Sequence, residues 1–331
     1  MPIRVAINGF GRIGRQITRL LSSQHNNKLQ LAAINTLEDC ETIVHLLRFD
    51  SIQGVNEAQI YSSANKLFIN NTKIPVYHES VPHNIPWNVD NIDVVIECSG
   101  RFTNGRQAAA HLNSGAKKVV ISAASEDPDV TICMGVNQPS YDPASHKIIS
   151  GSSCTTNCLA PLAKVINDNF GIVTGFATFI HSSTNSQHLL DSVDSDPRRA
   201  RAAGINLIPT TTSAAQQIPL VIPSLINKFD ALAIRVPTPD VHLADFTIRL
   251  NQKITKADLL KTLEIAAQGE MRRILQVSQE PLVSIDFRNS SHSCVIDATQ
   301  IKVNHDMIKI LVWHANEFSY CQRLIDLVNF I

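Results

Sequence analysis

The feature with the clearest chemical potential is a cysteine placed where a strand-like run gives way to a helical pattern. Ser152-Ser153-Cys154-Thr155-Thr156-Asn157 follows KIISG and opens a long helix predicted over 154–169. A thiol in a first helical turn meets the positive end of the helix dipole and free backbone N–H groups, both of which favour the thiolate. The same N–H groups can stabilise the oxyanion formed when sulfur attacks a carbonyl. His181, at the end of FATFIH, is a candidate partner, because a Cys–His pair supplies an activated nucleophile and a proton shuttle together. Arg198, Arg199, Arg201 and Arg235, with Ser153, Thr155, Thr184 and Thr212, offer fork donors and hydroxyls suited to phosphate. An arginine-rich run is also commonly a solvated or interface feature, and spacing does not separate these fates. Cys98, Cys133 and Cys294 read as small buried hydrophobes and Cys158 as packing.

A second chemical element lies at the start of the chain. Asn8-Gly9-Phe10-Gly11-Arg12-Ile13-Gly14 matches GxGxxG directly after the strand-like RVAIN and before a helix from about Gly11 to Ser23. Gly9 permits a tight turn, Gly11 lets backbone approach a pyrophosphate, and Gly14 lets helix and strand pack, while the helix N-terminus presents N–H groups to the anion. The fingerprint expects an acid at the end of the second strand to hold the adenosine ribose. That strand ends at Asn35, the next residue is Thr36, and Glu38 stands two further on. Without a carboxylate at Thr36 the usual exclusion of a 2′-phosphate is lost, so NAD and NADP both remain open.

These residues need a scaffold, and the pattern around them indicates one. The first third alternates short apolar strands with amphipathic helices: RVAIN, the first helix, LQLAAIN (29–35), a helix near 39–48, then VDNIDVVIEC, KKVVIS and KIISGSS, with one helix over NGRQAAAHLNSGA. That rhythm predicts a parallel sheet. Two short β-rich runs in 56–78, around AN and NN turns, read as an antiparallel insertion. Beyond Ser153 the strands IVTGFATFIHS, DALAIRVP and VHLADFTIRL are long and close together, which predicts a mostly antiparallel sheet. The aperiodic stretch between His181 and Ile208 is long enough to be functional. A last helix is predicted over 317–331.

Composition limits what the whole can be. The chain has 331 residues, enough for two cores. Lys plus Arg and Asp plus Glu are 29 each, so no single-signed field favours nucleic acid or lipid in general. No apolar run reaches membrane-spanning length and the first residues read as a strand rather than a leader; a cytoplasmic protein without a membrane partner is the expectation. Seven scattered cysteines, with no CxxC pair or metal-ligand spacing, read as reduced thiols with no metal site.

Taken in order, INGFGRIGR, SCTTNCLAP, HSSTN, RRARAA, IPTTT, AIRVPTP and NEFSY make the chain similar over essentially its whole length to the glyceraldehyde-3-phosphate dehydrogenase family. The resemblance implies an α/β protein: a Rossmann NAD(P)-binding domain at 1–152 completed by the C-terminal helix 317–331, an α+β catalytic domain at 153–316, and a homotetramer. It implies oxidation of a sugar-phosphate aldehyde through a thiohemiacetal and thioester on Cys154, with His181 as acid and base and inorganic phosphate releasing the product. Thr184 and Arg235 would hold the substrate phosphate; Ser153, Thr155, Arg199 and Thr212, with Ser213 beside it, would hold inorganic phosphate. Asn316 would orient the nicotinamide with Tyr320 nearby, and Thr103 and Ser122 would line the cofactor cleft with Asn8, the glycine turn, Asn35 and Thr36.

The departures are specific. Thr36 replaces the usual acid, Ser192-Val193 replaces a Leu-Pro pair, and Ser186 replaces an Asp, all at positions that bear on cofactor choice. Ser213 replaces a Gly and GSSC replaces NASC at the inorganic phosphate site. LVSIDF, DATQ, IKILVW and His78-Glu79 are more similar to a sister enzyme, erythrose-4-phosphate dehydrogenase, whose product is an acid; Thr184-Asn185 and IPTTTSAA follow the glyceraldehyde pattern at residues that touch phosphate. A semialdehyde dehydrogenase and a binding protein that kept the fold without the chemistry are the remaining alternatives.

Overall fold

The computed structural model describes residues 1–23 and 28–331. Internal contacts divide the chain into two units, Met1–Ile132 with Pro139–Ser152 and Cys321–Ile331, and Cys133–Gln138 with Ser153–Tyr320.

The first unit starts β1 (Ile3–Asn8), α1 (Arg12–Ser23), β2 (Leu29–Asn35), α2 (Cys40–Arg48). A small ribbon, β3 (Phe49–Asp50) and β4 (Gly54–Val55), is followed by β5 (Ile60–Ser62), β6 (Lys66–Ile69) and β7 (Thr72–Tyr77). Then come β8 (Val94–Glu97), α3 (Gly105–Ala108), α4 (Ala110–Asn113), β9 (Lys118–Ile121), β10 (Val130–Thr131) and β11 (Ile148–Ser150). The sheet order is β10-β11-β9-β8-β1-β2-β7-β6-β5, with β1 parallel to both β2 and β8. Val5, Ala6, Ile7, Val119 and Val120 are wholly buried, the unbroken apolar strand expected where both sheet faces are covered.

The insertion has three strands rather than two. Asn70 and Asn71, at φ 47° and 67°, close a two-residue hairpin between β6 and β7, and left-handed values at both turn positions suit Asn. The helix expected over NGRQAAAHLNSGA is broken at Ala109, where Leu112 N–H bonds to Ala109 C=O at 3.0 Å in a tighter i→i+3 turn.

The second unit opens with α5 (Cys154–Phe170) and continues β12 (Ile172–His181), β13 (Ile208–Thr210), α6 (Ala214–Val221), β14 (Phe229–Arg235), β15 (His242–Leu250), α7 (Lys256–Gln268), β16 (Leu275–Ser278), β17 (Cys294–Asp297), β18 (Lys302–Asn304) and β19 (Met307–His314). The last helix, α8, runs Phe318–Phe330. The sheet order is β13-β14-β12-β15-β19-β17-β16, with β18 also on β19. β12 with β14 and β16 with β17 are parallel and the other pairs antiparallel, so the sheet is mostly antiparallel as expected. Alternation along β15 puts Ala244, Phe246, Ile248 and Leu250 into one core with α5, α6 and α7. Cys133–Gln138 group with this unit, not the first, because Cys133 Sγ reaches Asn157 at 3.4 Å and Gly135 lies against Ile274 and Met271. Between His181 and Ile208 there is neither helix nor strand.

Candidate active site

Cys154 is the first residue of α5. Ser153 caps the helix, its Oγ accepting from Thr156 N–H at 3.1 Å and lying 3.0 Å from Thr155 Oγ1. Ser152, just before the cap, holds a φ of 57°, a strained value for a residue other than glycine. His181 ends β12, and register sets Arg235 of β14 beside it. On the other side of β12, β15 begins with His242, which is opposite His314 of β19. Four basic side chains therefore stand in a row across one end of the sheet. The Cys154 sulfur and a ring nitrogen each of His181 and His242 all lie within 4.8 Å of one another. The His181 and His242 ring centres are 3.5 Å apart, and those of His242 and His314 are 5.5 Å apart.

His181 Nδ1 is 2.8 Å from Ser182 C=O and is also in contact with Arg235 Nη1; in the tautomer that places the Nδ1 proton on the carbonyl, Nε2 is the basic atom. Arg235 Nη1 lies 3.0 Å from that Nε2. Burial holds the imidazole neutral, down to about 3, with the Arg235 cation adding to the effect. The thiol departs from the dipole-based expectation. Burial pushes it up to about 11, against the opposing pull of Arg235 and the Thr155 N–H. Desolvation outweighs the dipole because a thiolate loses its water at once, although Cys154 is partly exposed and so retains some solvation. Thiol and imidazole are thus both neutral at rest, and Arg235 favours the thiolate while disfavouring the imidazolium.

The expected phosphate-binding residues do not all arrive at one point. Arg199 is half-buried, its Nε donating to Thr210 Oγ1 at 2.9 Å, and its charge is felt at Arg235. Arg198 is exposed, and Arg201 pairs with Asp191 at 3.0 Å, which leaves Arg199 as the inward member of the run. Thr184 Oγ1 is 3.1 Å from Ser186 Oγ. Thr212 Oγ1 accepts from Ala214 N–H at 3.3 Å, and Ser213 stands at the α6 N-terminus without capping it. Asn316 Oδ1 accepts from Val241 N–H at 3.1 Å and from Ser182 Oγ at 3.3 Å, which fixes the amide. Tyr320 is buried.

The first unit carries a cleft of about 260 Å³ lined by Asn8, Gly9, Phe10, Gly11, Asn35 and Thr36 of the expected set. Fit to a dinucleotide phosphate is visible at the glycines. A Cβ on Gly14 would lie 2.2 Å from Gly9 C=O and one on Gly9 2.5 Å from Ser99 backbone, whereas one on Gly11 would project into space with nothing within 4 Å. The first two are forced by packing; the third leaves room for an anion. Arg12, Ile13 and Gly14 are in the first turn of α1 rather than on the cleft wall, and the Arg12 side chain is held by Asp50 at 2.5 Å. Thr103 and Ser122 are off the wall too; Ser122 Oγ donates to Glu97 C=O at 2.8 Å.

Glu38, two residues beyond Thr36 as the sequence offered it, lines the cleft with Glu79, and Thr36 Oγ1 donates to the Glu38 carboxylate. Other residues beneath the site carry no sequence signal. Beneath the turn, Glu97 accepts from Asn8 Nδ2 at 2.5 Å, from Ser99 N–H at 2.6 Å and from His111 Nε2 at 3.0 Å. Trp87 Nε1 donates to His111 Nδ1 at 3.0 Å, and Asn35 Nδ2 donates to Asn8 Oδ1 at 2.7 Å. This fully paired buried network fixes the ends of β1 and β2 where the cofactor would rest.

A glycine-turn parallel sheet in one unit and a thiol with an imidazole nearby at a helix start in the other are the parts expected of a dinucleotide-linked oxidoreductase with a sulfur nucleophile. Residues 3–105 match the family described as glyceraldehyde 3-phosphate dehydrogenase, NAD binding domain, and residues 153–316 match its C-terminal domain. Glyceraldehyde-3-phosphate dehydrogenase of Geobacillus stearothermophilus is 45% identical over 332 residues, covering all of this chain and 98% of that protein. Glyceraldehyde-3-phosphate dehydrogenase 1 of Bacillus subtilis (strain 168) is also 45% identical with the same coverage, and the protein of that name from Streptomyces coelicolor is 44% identical over 333 residues. The chain belongs to the glyceraldehyde 3-phosphate dehydrogenase family.

Proposed function

We propose that the chain oxidises glyceraldehyde 3-phosphate and, with inorganic phosphate, converts it to an acyl phosphate. The observation that carries this reading is the Cys154 sulfur at a helix start within 4.8 Å of a His181 nitrogen, with Arg235 alongside. His181 Nε2 takes the thiol proton as Cys154 adds to the aldehyde carbon, returns it to the alkoxide so formed, and takes it back from the hydroxyl as hydride leaves. Backbone N–H groups of the first turn of α5 face the developing oxyanion. NAD bound at the glycine turn would supply the hydride acceptor. The thioester left on Cys154 is attacked by phosphate, which the Ser153, Thr155, Arg199 and Thr212 side chains would hold with Ser213 beside them, while Thr184 and Arg235 would hold the substrate's phosphate and Asn316 the nicotinamide amide.

NAD is proposed over NADP. Thr36 presents no carboxylate, but Glu38 and Glu79 line the same end of the cleft and would repel a 2′-phosphate. A homotetramer is proposed from the family resemblance, and exposed Leu189, Leu190, Val193, Ile205 and Leu207 in the aperiodic stretch, with Phe176 and Leu232 on the second sheet, are apolar surface that association would cover. Among the described residues no helix is long and apolar enough to cross a membrane, and a cytoplasmic location is proposed. The test is a set of initial rates with glyceraldehyde 3-phosphate or erythrose 4-phosphate, NAD or NADP, with and without inorganic phosphate. Phosphate-dependent turnover of the three-carbon aldehyde with NAD is expected; preference for erythrose 4-phosphate without phosphate overturns the substrate assignment, and light scattering reads the tetramer.

A further inference from the structure

His242 has no part in the reaction above, yet it stands beside the nucleophile. It is fully buried, and neither of its ring nitrogens has a hydrogen-bond partner. Buried polar atoms are rarely left so, and both its neighbours, Cys154 and His181, are themselves donors of a lone pair. We infer that Cys154, His181 and His242 form a three-ligand site for a divalent ion that prefers thiolate and imidazole, zinc foremost, and that its occupation reversibly switches the nucleophile off.

The donor set is one sulfur and two nitrogens within 4.8 Å of one another. A tetrahedral zinc, with bonds of about 2.3 Å to sulfur and 2.0–2.1 Å to nitrogen, sets such atoms roughly 3.3–3.6 Å apart, so small side-chain rotations close the site. Register places both histidines at neighbouring strand ends, a rigid mount for ligands. His181 Nδ1 lies 2.8 Å from Ser182 C=O, and in the tautomer that donates there the ring has the outer hydrogen bond that orients a metal-bound imidazole and leaves Nε2 as the donor. Three protein ligands with Cys154 partly exposed leave the fourth position to water. On binding, a sulfur–metal bond forms, the thiol proton passes to solvent and no electrons are transferred. The sulfur lone pair is then committed to the metal and cannot attack an aldehyde or an alkylating agent. Arg235 opposes occupancy, because its guanidinium lies 3.0 Å from His181 Nε2 and must swing aside. The inference uses the same thiol as the proposed reaction, but coordination does not require turnover.

Cobalt(II) is the probe. The full-length reduced protein should take up one equivalent with a thiolate-to-cobalt charge-transfer band and the strong visible absorption of four-coordinate cobalt, both competed away by zinc, while alkylation of Cys154 by iodoacetamide slows and chelator restores it. Loss of a single outer-shell partner weakens metal sites about 10–100-fold, so H242N and H242Q, checked for native melting, should weaken affinity at least that much. C154S should lose the charge-transfer band, and R235M should bind more tightly. X-ray absorption of the zinc-loaded wild type should count one sulfur and two imidazoles independently of any variant. Absence of the band in the wild type, unchanged affinity in folded His242 variants, or fewer than two imidazoles on zinc overturns the site. A protein that oxidises the aldehyde yet fails these tests refutes the metal site alone; one that passes them but turns over no aldehyde refutes the proposed function alone.

Discussion

Gly11 and Gly14 sit three residues apart in one turn, and the structure assigns them opposite consequences. A methyl at Gly14 would be 2.2 Å from Gly9 C=O and 3.1 Å from Ile7 Cγ2, far inside the ~3.5 Å of ordinary non-bonded contact. Backbone must move to admit it, which typically costs about 1–3 kcal/mol, or a melting drop of roughly 2–12 °C for a domain of this size. Gly14→Ala should therefore lose both stability and cofactor affinity. A methyl at Gly11 meets nothing within 4 Å, and the residue caps α1 through its C=O, which accepts from Arg15 N–H at 3.0 Å. Gly11→Ala should cost no more than about 1 kcal/mol of stability, the preference for Gly over Ala at a helix cap, yet its methyl occupies the approach of the pyrophosphate and should weaken NAD at least about tenfold, or 1.4 kcal/mol. Differential scanning calorimetry and isothermal titration with NAD separate the two. Unaltered NAD binding by the Gly11 variant, or wild-type melting of the Gly14 variant, would refute the assignment of roles.

His181→Asn should lower kcat by about 10²–10⁴-fold, the usual value of a positioned acid–base group, with NAD affinity unchanged; a loss below tenfold in steady-state rates argues against His181 as the base. Glu38→Gln should move the NADP-to-NAD ratio of kcat/KM toward NADP by about three- to tenfold, a modest figure because Glu38 is exposed and water screens its charge; no movement means that this carboxylate does not read the ribose. Burial lowers the basicity of His181, His242 and His314. Below an unfolded value of about 6.5 the unfolded chain binds protons that the folded chain refuses, so stability should fall with falling pH by up to about 4 kcal/mol per unit for the three together. Urea unfolding from pH 7.5 to 5 reads this slope, and a flat profile would contradict neutral burial.

Much of this was legible in the residues. The glycine turn, β1, β2 and the helix behind Cys154 follow from local pattern, and α5 begins at Cys154 as the sequence suggests. His181 could be proposed because it ends a strand, but its place beside Cys154 depends on pairing between distant strands. His242 illustrates the limit: one histidine in VHLADF has no local signal, and only the β12–β15 register brings it to His181. The Glu97–His111–Trp87 network joins three separate segments and was equally invisible. Position at a helix start suggested an acidic thiol, whereas burial, a property of the folded chain, raises it instead. The run RRxR looked like one cluster, yet only Arg199 turns inward.

The central claim is that Cys154 carries the substrate as a thioester. Mixing the protein with NAD and glyceraldehyde 3-phosphate in the absence of phosphate, quenching in acid and mapping peptides by mass spectrometry tests it directly. An acyl adduct on Cys154 that disappears when inorganic phosphate is added before the quench is the predicted result; turnover without any adduct on Cys154, or an adduct on another residue, would contradict it.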